Sequence, residues 1–79
     1  MARVLMFGAL AEAAGWRDRV IDAGSLDGLR AILAAEDAGL GERLSGPGTC
    51  AILNAEMVRG DTPLSAADEV AFIPPVSGG

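Results

Sequence analysis

The feature that most restricts this fold is a solitary helical stripe set among short apolar runs. Leu26, Leu29, Ile32 and Leu33 recur at the three-and-four spacing that lines one side of an α-helix. Ser25 is a good N-cap for that helix, and Asp27 places an acid in the first turn, where the helix dipole favours it. Gly39, after Glu36-Asp37-Ala38, is the expected stop. One such helix can cover one face of one sheet, so the remaining apolar runs must pair with each other.

Those runs read as strands. Arg3 to Phe7 is apolar after its first residue, and Arg17 to Ile21 returns after a short helix former, Leu10–Ala14, closed by Gly15. Either Val20 or Ile21 faces inward, and the two strands are expected to pair as a loose hairpin. After the helix, Leu40 to Leu44 suggests one more turn, and Ser45-Gly46-Pro47-Gly48 is a loop by composition. Cys50 to Leu53 is a strand, with a tight turn at Asn54-Ala55 and a short strand near Met57-Val58. Gly60 to Pro63 turns again, and Leu64 to Ala67 suggests a helical turn. Glu69 to Ile73 is the last strand, closed by Pro74-Pro75, because proline has no N–H for the ladder. The order strand, strand, helix, strand, strand, strand predicts an α+β fold of the β-grasp, ubiquitin-like arrangement. It has a mixed sheet of about five strands and one main helix on one face. Residues 1–74 are expected to form the domain, and residues 75–79 an extended tail ending in Gly-Gly.

Composition narrows what such a domain can do. The chain has 79 residues and a formal charge of −5, with eleven acids against six bases, every base an Arg. That balance disfavours nucleic acid and anionic membrane surfaces, both of which select for basic footprints. No apolar run approaches the 18–20 residues that span a bilayer, and nothing at the start resembles a signal peptide. A lone Cys gives no disulfide framework, so the expected location is the cytoplasm. Without Lys, the chain offers no side-chain amine for self-built isopeptide chains.

Elimination then removes most stand-alone chemistry. With no His, the usual general base and the commonest metal ligand are missing. Cys50 cannot build a thiolate cluster, and inside an apolar strand it reads as a small buried hydrophobe rather than a reactive thiol. Gly46-Pro47-Gly48 lacks the Lys-Ser/Thr sequel of a phosphate loop. No metal or cofactor is expected on this chain. What remains is Pro74-Pro75-Val76-Ser77-Gly78-Gly79. A frayed terminus is the ordinary reading of such a segment. Against it, two glycines without Cβ can enter a channel too narrow for side chains, and the prolines stiffen the base. Five residues beyond Pro74 span roughly 16 Å when extended. A bare carboxylate, with a reference pKa of about 3.3–3.7, is an anion at neutral pH and a poor electrophile. It therefore needs a partner to activate it.

The residues also carry a resemblance. Val4-Leu5-Met6-Phe7, Glu12-x-x-Gly15, Leu29, Asn54 and above all Asp68-Glu69-Val70-Ala71-Phe72-Ile73-Pro74-Pro75-Val76-Ser77-Gly78-Gly79 make the whole chain similar to the small, sulfur-carrier subunit of molybdopterin synthase. The resemblance implies that an E1-like adenylating enzyme activates Gly79 with ATP and magnesium, and that a sulfur donor protein helps convert it to a thiocarboxylate. It implies that Pro74, Pro75, Val76 and Ser77 form a tail inserted into the large subunit, with Gly78 permitting threading. There the sulfur passes to cyclic pyranopterin monophosphate, on catalytic residues that belong to the large subunit of a heterotetramer. Similar Gly-Gly carriers serve thiamin thiazole, cysteine or tRNA thiolation, and others modify proteins. Ala11 stands where family members often have Arg, and Ile73 where an aromatic residue is common.

Strand alternation adds a docking expectation. One helix covers one sheet face, yet both faces of the first and last strands are apolar. Phe7 and Ile73 are expected on the open face as a patch for the large subunit, the competing reading being that they complete a small core. Trp16 is expected to pack at the core edge.

Overall fold

The computed structural model describes residues 1–75. Its elements run β1 (Ala2–Met6), α1 (Gly8–Ala14), β2 (Asp18–Ile21), α2 (Leu26–Glu36), α3 (Ala38–Leu44), β3 (Cys50–Leu53), β4 (Glu56–Val58) and β5 (Glu69–Ile73). The five strands form one mixed sheet in the order β2-β1-β5-β3-β4. β1 and β5 pair parallel at the centre, with Val4 opposite Val70 and Met6 opposite Phe72. The other pairings are antiparallel, including the anticipated β1–β2 pair. This is the β-grasp arrangement. Among the described residues, no helix is long and apolar enough to cross a membrane.

One face of the sheet carries the core. Ala2, Val4, Met6, Val70, Phe72 and Ala51 point from alternating strand positions toward the helices and are buried. α2 answers with Leu26, Leu29 and Leu33, α3 with Leu40 and Leu44, and α1 with Leu10 and Ala11. Each fully buried Leu or Phe contributes roughly 1.5–3 kcal/mol relative to exposure. Ile21, not Val20, faces inward; Val20 pairs with Arg3 and is 55% exposed. Trp16 packs partly buried against the core edge, with the Arg19 guanidinium 5.3 Å from its ring centre.

The helical region departs from the sequence expectation. Gly39 does not stop α2. The helix ends at Glu36 because Asp37 turns extended, at φ −152°, and its carboxylate accepts from the Leu40 N–H at 3.2 Å, capping a new helix. Gly39 and Gly41 therefore sit inside α3, a two-turn helix where one turn was expected. Gly41 is the reason the two helices fit: a Cβ there would stand 2.4 Å from the Ala34 Cβ on α2. Glycine's poor helix propensity is offset by that close approach. The helical turn expected over Leu64 to Ala67 is instead a β-turn, with the Asp68 N–H donating to the Ser65 carbonyl at 3.0 Å.

The Asn54-Ala55 turn is confirmed, and both residues hold positive φ, 50° and 69°, as the primed two-residue hairpin turn requires. Asn54 also ties this turn to β5. Its amide donates to Asp68 at 2.8 Å, its carbonyl accepts from the Glu69 N–H at 2.9 Å, and Asp68 accepts from the Ser65 N–H at 2.7 Å. That Ser65 backbone bond, with Asn54 second, holds the Asp68 carboxyl below its usual value of 3.8.

Two stability tests follow from these contacts. Gly41→Ala is expected to cost about 1–3 kcal/mol in urea unfolding by overpacking α2 against α3. Gly39→Ala, whose Cβ would meet only the Asp37 carboxylate at 3.4 Å, should be neutral or stabilising. For Asp68 the folded-state value is depressed, so its contribution is complete above the unfolded value and is lost as pH falls through the folded value. The stability gap between the native chain and Asp68→Asn should therefore be widest at neutral pH and close on acidification below about pH 4. Chemical denaturation across that range measures it.

Candidate functional site

The last strand determines where any reactive terminus leaves the domain. β5 lies between β1 and β3, and its final pairing places Ile73 opposite Cys50. The backbone of Phe7 extends the β1 side by donating to the Phe72 carbonyl at 3.3 Å. Pro74 and Pro75 then stop the ladder, as the sequence indicates. Neither projects freely. Pro74 is half-buried against Gly8, where a Cβ would meet its Cγ at 3.2 Å, and Pro75 lies against Gly48, where a Cβ would come within 2.7 Å of the Pro75 Cβ. Gly8 and Gly48 hold positive φ, 53° and 86°, so glycine serves both backbone conformation and space there. The proline pair thus rests in a two-glycine cradle. An open cleft of about 270 Å³ runs beside it, lined by Ala9, Leu10, Arg43, Pro47 and Thr49. Val76, Ser77, Gly78 and Gly79 lie outside the described residues.

Sequence reading missed the cradle. Gly46-Pro47-Gly48 reads as a loop without the sequel of a phosphate site, and nothing local in Gly8 announces contact with residues more than sixty positions away.

The structure places Phe7 and Ile73 on the sheet face away from the helices. Alternation from the buried Val4 and Met6 puts Arg3, Leu5 and the extended Phe7 on that side; alternation from Val70 and Phe72 puts Ala71 and Ile73 there. Register extends the row, since Leu5 pairs with Ala71, Ala71 with Ile52, and Ile52 with Met57. Phe7 and Met57 are 45% and 55% exposed. Opposite the tail exit the face becomes charged: Arg3 donates to Asp18 at 3.0 Å and approaches Glu69 at 3.4 Å. The Arg3 guanidinium holds the Asp18 carboxyl below its ordinary range. The open face is therefore polarised, apolar toward the tail exit and ionic away from it.

Cys50 is half-buried on this same face, not fully buried as its apolar strand suggested. Its position opposite Ile73, at the strand end, leaves the thiol partly open, 3.7 Å from the Gly48 carbonyl. Among the described residues no cluster of three or more His, Cys, Asp or Glu side chains could hold a metal.

The fold that ends in this central β5 is shared with known proteins. The family model described as the ThiS family matches residues 4–79. This chain belongs to the ThiS family. Among solved structures, the chain is similar to small archaeal modifier protein 1 from Methanosarcina acetivorans, with a TM-score of 0.86, 22% identity, and coverage of 99% of this chain and 95% of that one. The same modifier from Haloferax volcanii gives 0.75 and 24%, covering 99% and 98%. These two likenesses establish the fold. A complex of subunits 1 and 2 of the molybdopterin-converting factor from Helicobacter pylori contains a chain with a TM-score of 0.70 and 29% identity, covering 99% and 97%. No curated protein matches the sequence significantly.

The cradle is testable against an internal control. Gly60 also holds a positive φ, 78°, but a Cβ there would meet nothing within 4 Å. Gly60→Ala should lose about 1–2 kcal/mol of stability from backbone strain alone. Gly48→Ala should lose more, by about 1–3 kcal/mol, because it also overpacks Pro75. Equal losses in urea unfolding would mean that the Pro75 contact contributes nothing.

Proposed function

We propose that this ThiS-family chain is the sulfur-carrier subunit of a molybdopterin synthase. The observation that carries the proposal is that β5 ends in Pro74 and Pro75 at the same end of the sheet where Phe7 and the partly buried Ile73 lie on the face that no described helix covers. A partner pressed on that surface is positioned to receive the terminus. The likeness to the Helicobacter pylori complex supports a large-subunit partner, and the Phe72-Ile73-Pro74-Pro75-Val76-Ser77-Gly78-Gly79 ending supports the pathway.

The chemistry assigned to the terminus follows from what a carboxylate cannot do unaided. In the proposed cycle the Gly79 carboxylate attacks the α-phosphate of ATP on a magnesium-dependent, E1-like enzyme, releasing pyrophosphate. The resulting acyl-adenylate turns a poor electrophile into one with AMP as leaving group. The outer sulfur of a persulfide on a donor protein displaces AMP to give an acyl disulfide, and a second thiol cleaves the S–S bond, releasing the thiocarboxylate at Gly79 and leaving a disulfide between that thiol and the donor. Within the large subunit that sulfur passes to cyclic pyranopterin monophosphate, and water restores the carboxylate. Two loaded carriers complete the dithiolene.

This chain's own contribution is positional. Gly78 and Gly79 carry no side chain to obstruct a narrow channel. The Gly8 and Gly48 cradle fixes the direction in which Pro74-Pro75 starts the tail, which reduces the entropy lost on insertion. Phe7, Leu5, Ala71 and Ile73 supply the apolar contact that holds the large subunit in place.

Mass spectrometry after incubation with an activating enzyme, ATP and a sulfur source tests the carrier step. A gain of about 16 Da, oxygen replaced by sulfur, is expected on the native chain and none after deletion of Gly79. Conjugates at higher mass would assign the chain to protein modification instead. A gain of sulfur without conversion of the pterin precursor by the cognate large subunit would assign it to another acceptor, such as thiamin thiazole, cysteine or tRNA. For the docking surface, Phe7→Asp should fold normally, since Phe7 is already half-exposed, yet weaken large-subunit binding by about tenfold or more, equivalent to about 1.4 kcal/mol. Unchanged assembly by a folded Phe7→Asp chain would remove Phe7 from the interface.

A further inference from the structure

A second cleft, of about 310 Å³, opens between α2 and the ends of β3 and β4, lined by Arg30, Gly48, Thr49, Cys50, Ala51, Met57, Val58, Arg59 and Gly60. Two of the chain's six cations meet there, and no acid lines it. On a chain of net charge −5 this is a local reversal of sign. Arg30 rises from α2 with its guanidinium 5.8 Å from the Phe72 ring centre, which stacks and orients it. Its coordination is incomplete. Among the described residues the Nε donor is buried without an acceptor, and the one carboxylate paired with this guanidinium, Asp27, lies 3.6 Å from a terminal nitrogen, beyond a good hydrogen bond. Arg59 is exposed and makes no ion pair among the described residues.

Strand register places the cleft at the tail exit. Ala51 pairs with Val58, so Cys50 and Arg59 stand together at the strand ends, and Cys50 pairs with Ile73 on its other side. Gly48 belongs both to the cleft and to the contact with Pro75.

We infer that Arg30 and Arg59 form an oxyanion-binding site, for a carboxylate or phosphate group, beside the point where the tail leaves. A guanidinium presents parallel donors suited to both, and one already partly desolvated and under-coordinated gains most from a charge-assisted partner. Two sources present this chemistry: an external oxyanion, and the chain's own terminal carboxylate, since four residues beyond Pro75 reach about 13 Å. The inference does not depend on the sulfur-carrier reading.

Amide and arginine side-chain NMR of the full chain, titrated with inorganic phosphate and then acetate at constant ionic strength, tests it. Saturable shifts confined to residues 48–51, 57–60 and the Arg30 guanidinium are expected. Arg59→Gln, at an exposed position, should weaken binding severalfold while preserving the fold, and adding Arg30→Gln should bring the loss to at least about tenfold. Diffuse, non-saturating shifts, or phosphate binding equally well to Arg59→Gln and the native chain, would overturn the site. A chain amidated at Gly79 distinguishes the sources. Tighter phosphate binding after amidation, with shifts at Arg30 and Arg59, supports the site with the terminal carboxylate as resident oxyanion. Equal binding by both chains supports it with an external one.

Discussion

The parallel pairing of β1 with β5 is the constraint on which the rest of this molecule depends. A parallel pair needs a long crossover, and here the crossover contains every helix as well as β2, β3 and β4. Because β1 and β5 occupy the centre, Val4, Met6, Val70 and Phe72 form the floor that α2 covers. The same pairing sets the direction of β5 and so the end of the sheet from which Pro74 and Pro75 leave. Core formation and delivery of the terminus are consequences of one register.

The two sheet faces divide the work by what covers them. The inner face is saturated by α1, α2 and α3, with Gly41 allowing α3 to approach Ala34 closely enough to seal it. The outer face has no helix among the described residues, and its apolar row from Leu5 through Ala71 and Ile52 to Met57 remains half-exposed. No described element buries that row, whereas the exposed Arg3–Asp18–Glu69 group beyond it would gain little from desolvation. The polarity of this face thus confines its apolar part to the tail-exit end.

Exposed ion pairs add definition rather than strength. Arg19 grips Glu36 with two 2.7 Å contacts, linking β2 to the end of α2, but both side chains are more than a third exposed, so screening leaves a small contribution. Arg30 differs because its side chain is mostly buried, with the guanidinium 5.8 Å from the Phe72 ring centre. Its interactions are correspondingly less screened.

Much of this was legible in the sequence because it is local or periodic. The Leu26-Leu29-Leu33 stripe, the strand spans 50–53 and 69–73, the Asn54-Ala55 turn and the stop at Pro74-Pro75 depend on spacing, φ restriction and missing donors, all properties of neighbouring residues. The alternation that puts Phe7 and Ile73 on one side of the sheet is equally local. Tertiary structure decided the rest. Gly39 reads as a helix stop because local propensity knows nothing of Ala34, against which Gly41 packs, or of the second helix that Asp37 caps. Cys50 reads as buried because an apolar strand does not disclose that its end opens beside Ile73. The cradling of Pro74 by Gly8 and Pro75 by Gly48, and the meeting of Arg30 with Arg59, join residues far apart in the chain. Only the closed sheet, whose register is fixed by burial of one face, brings them together.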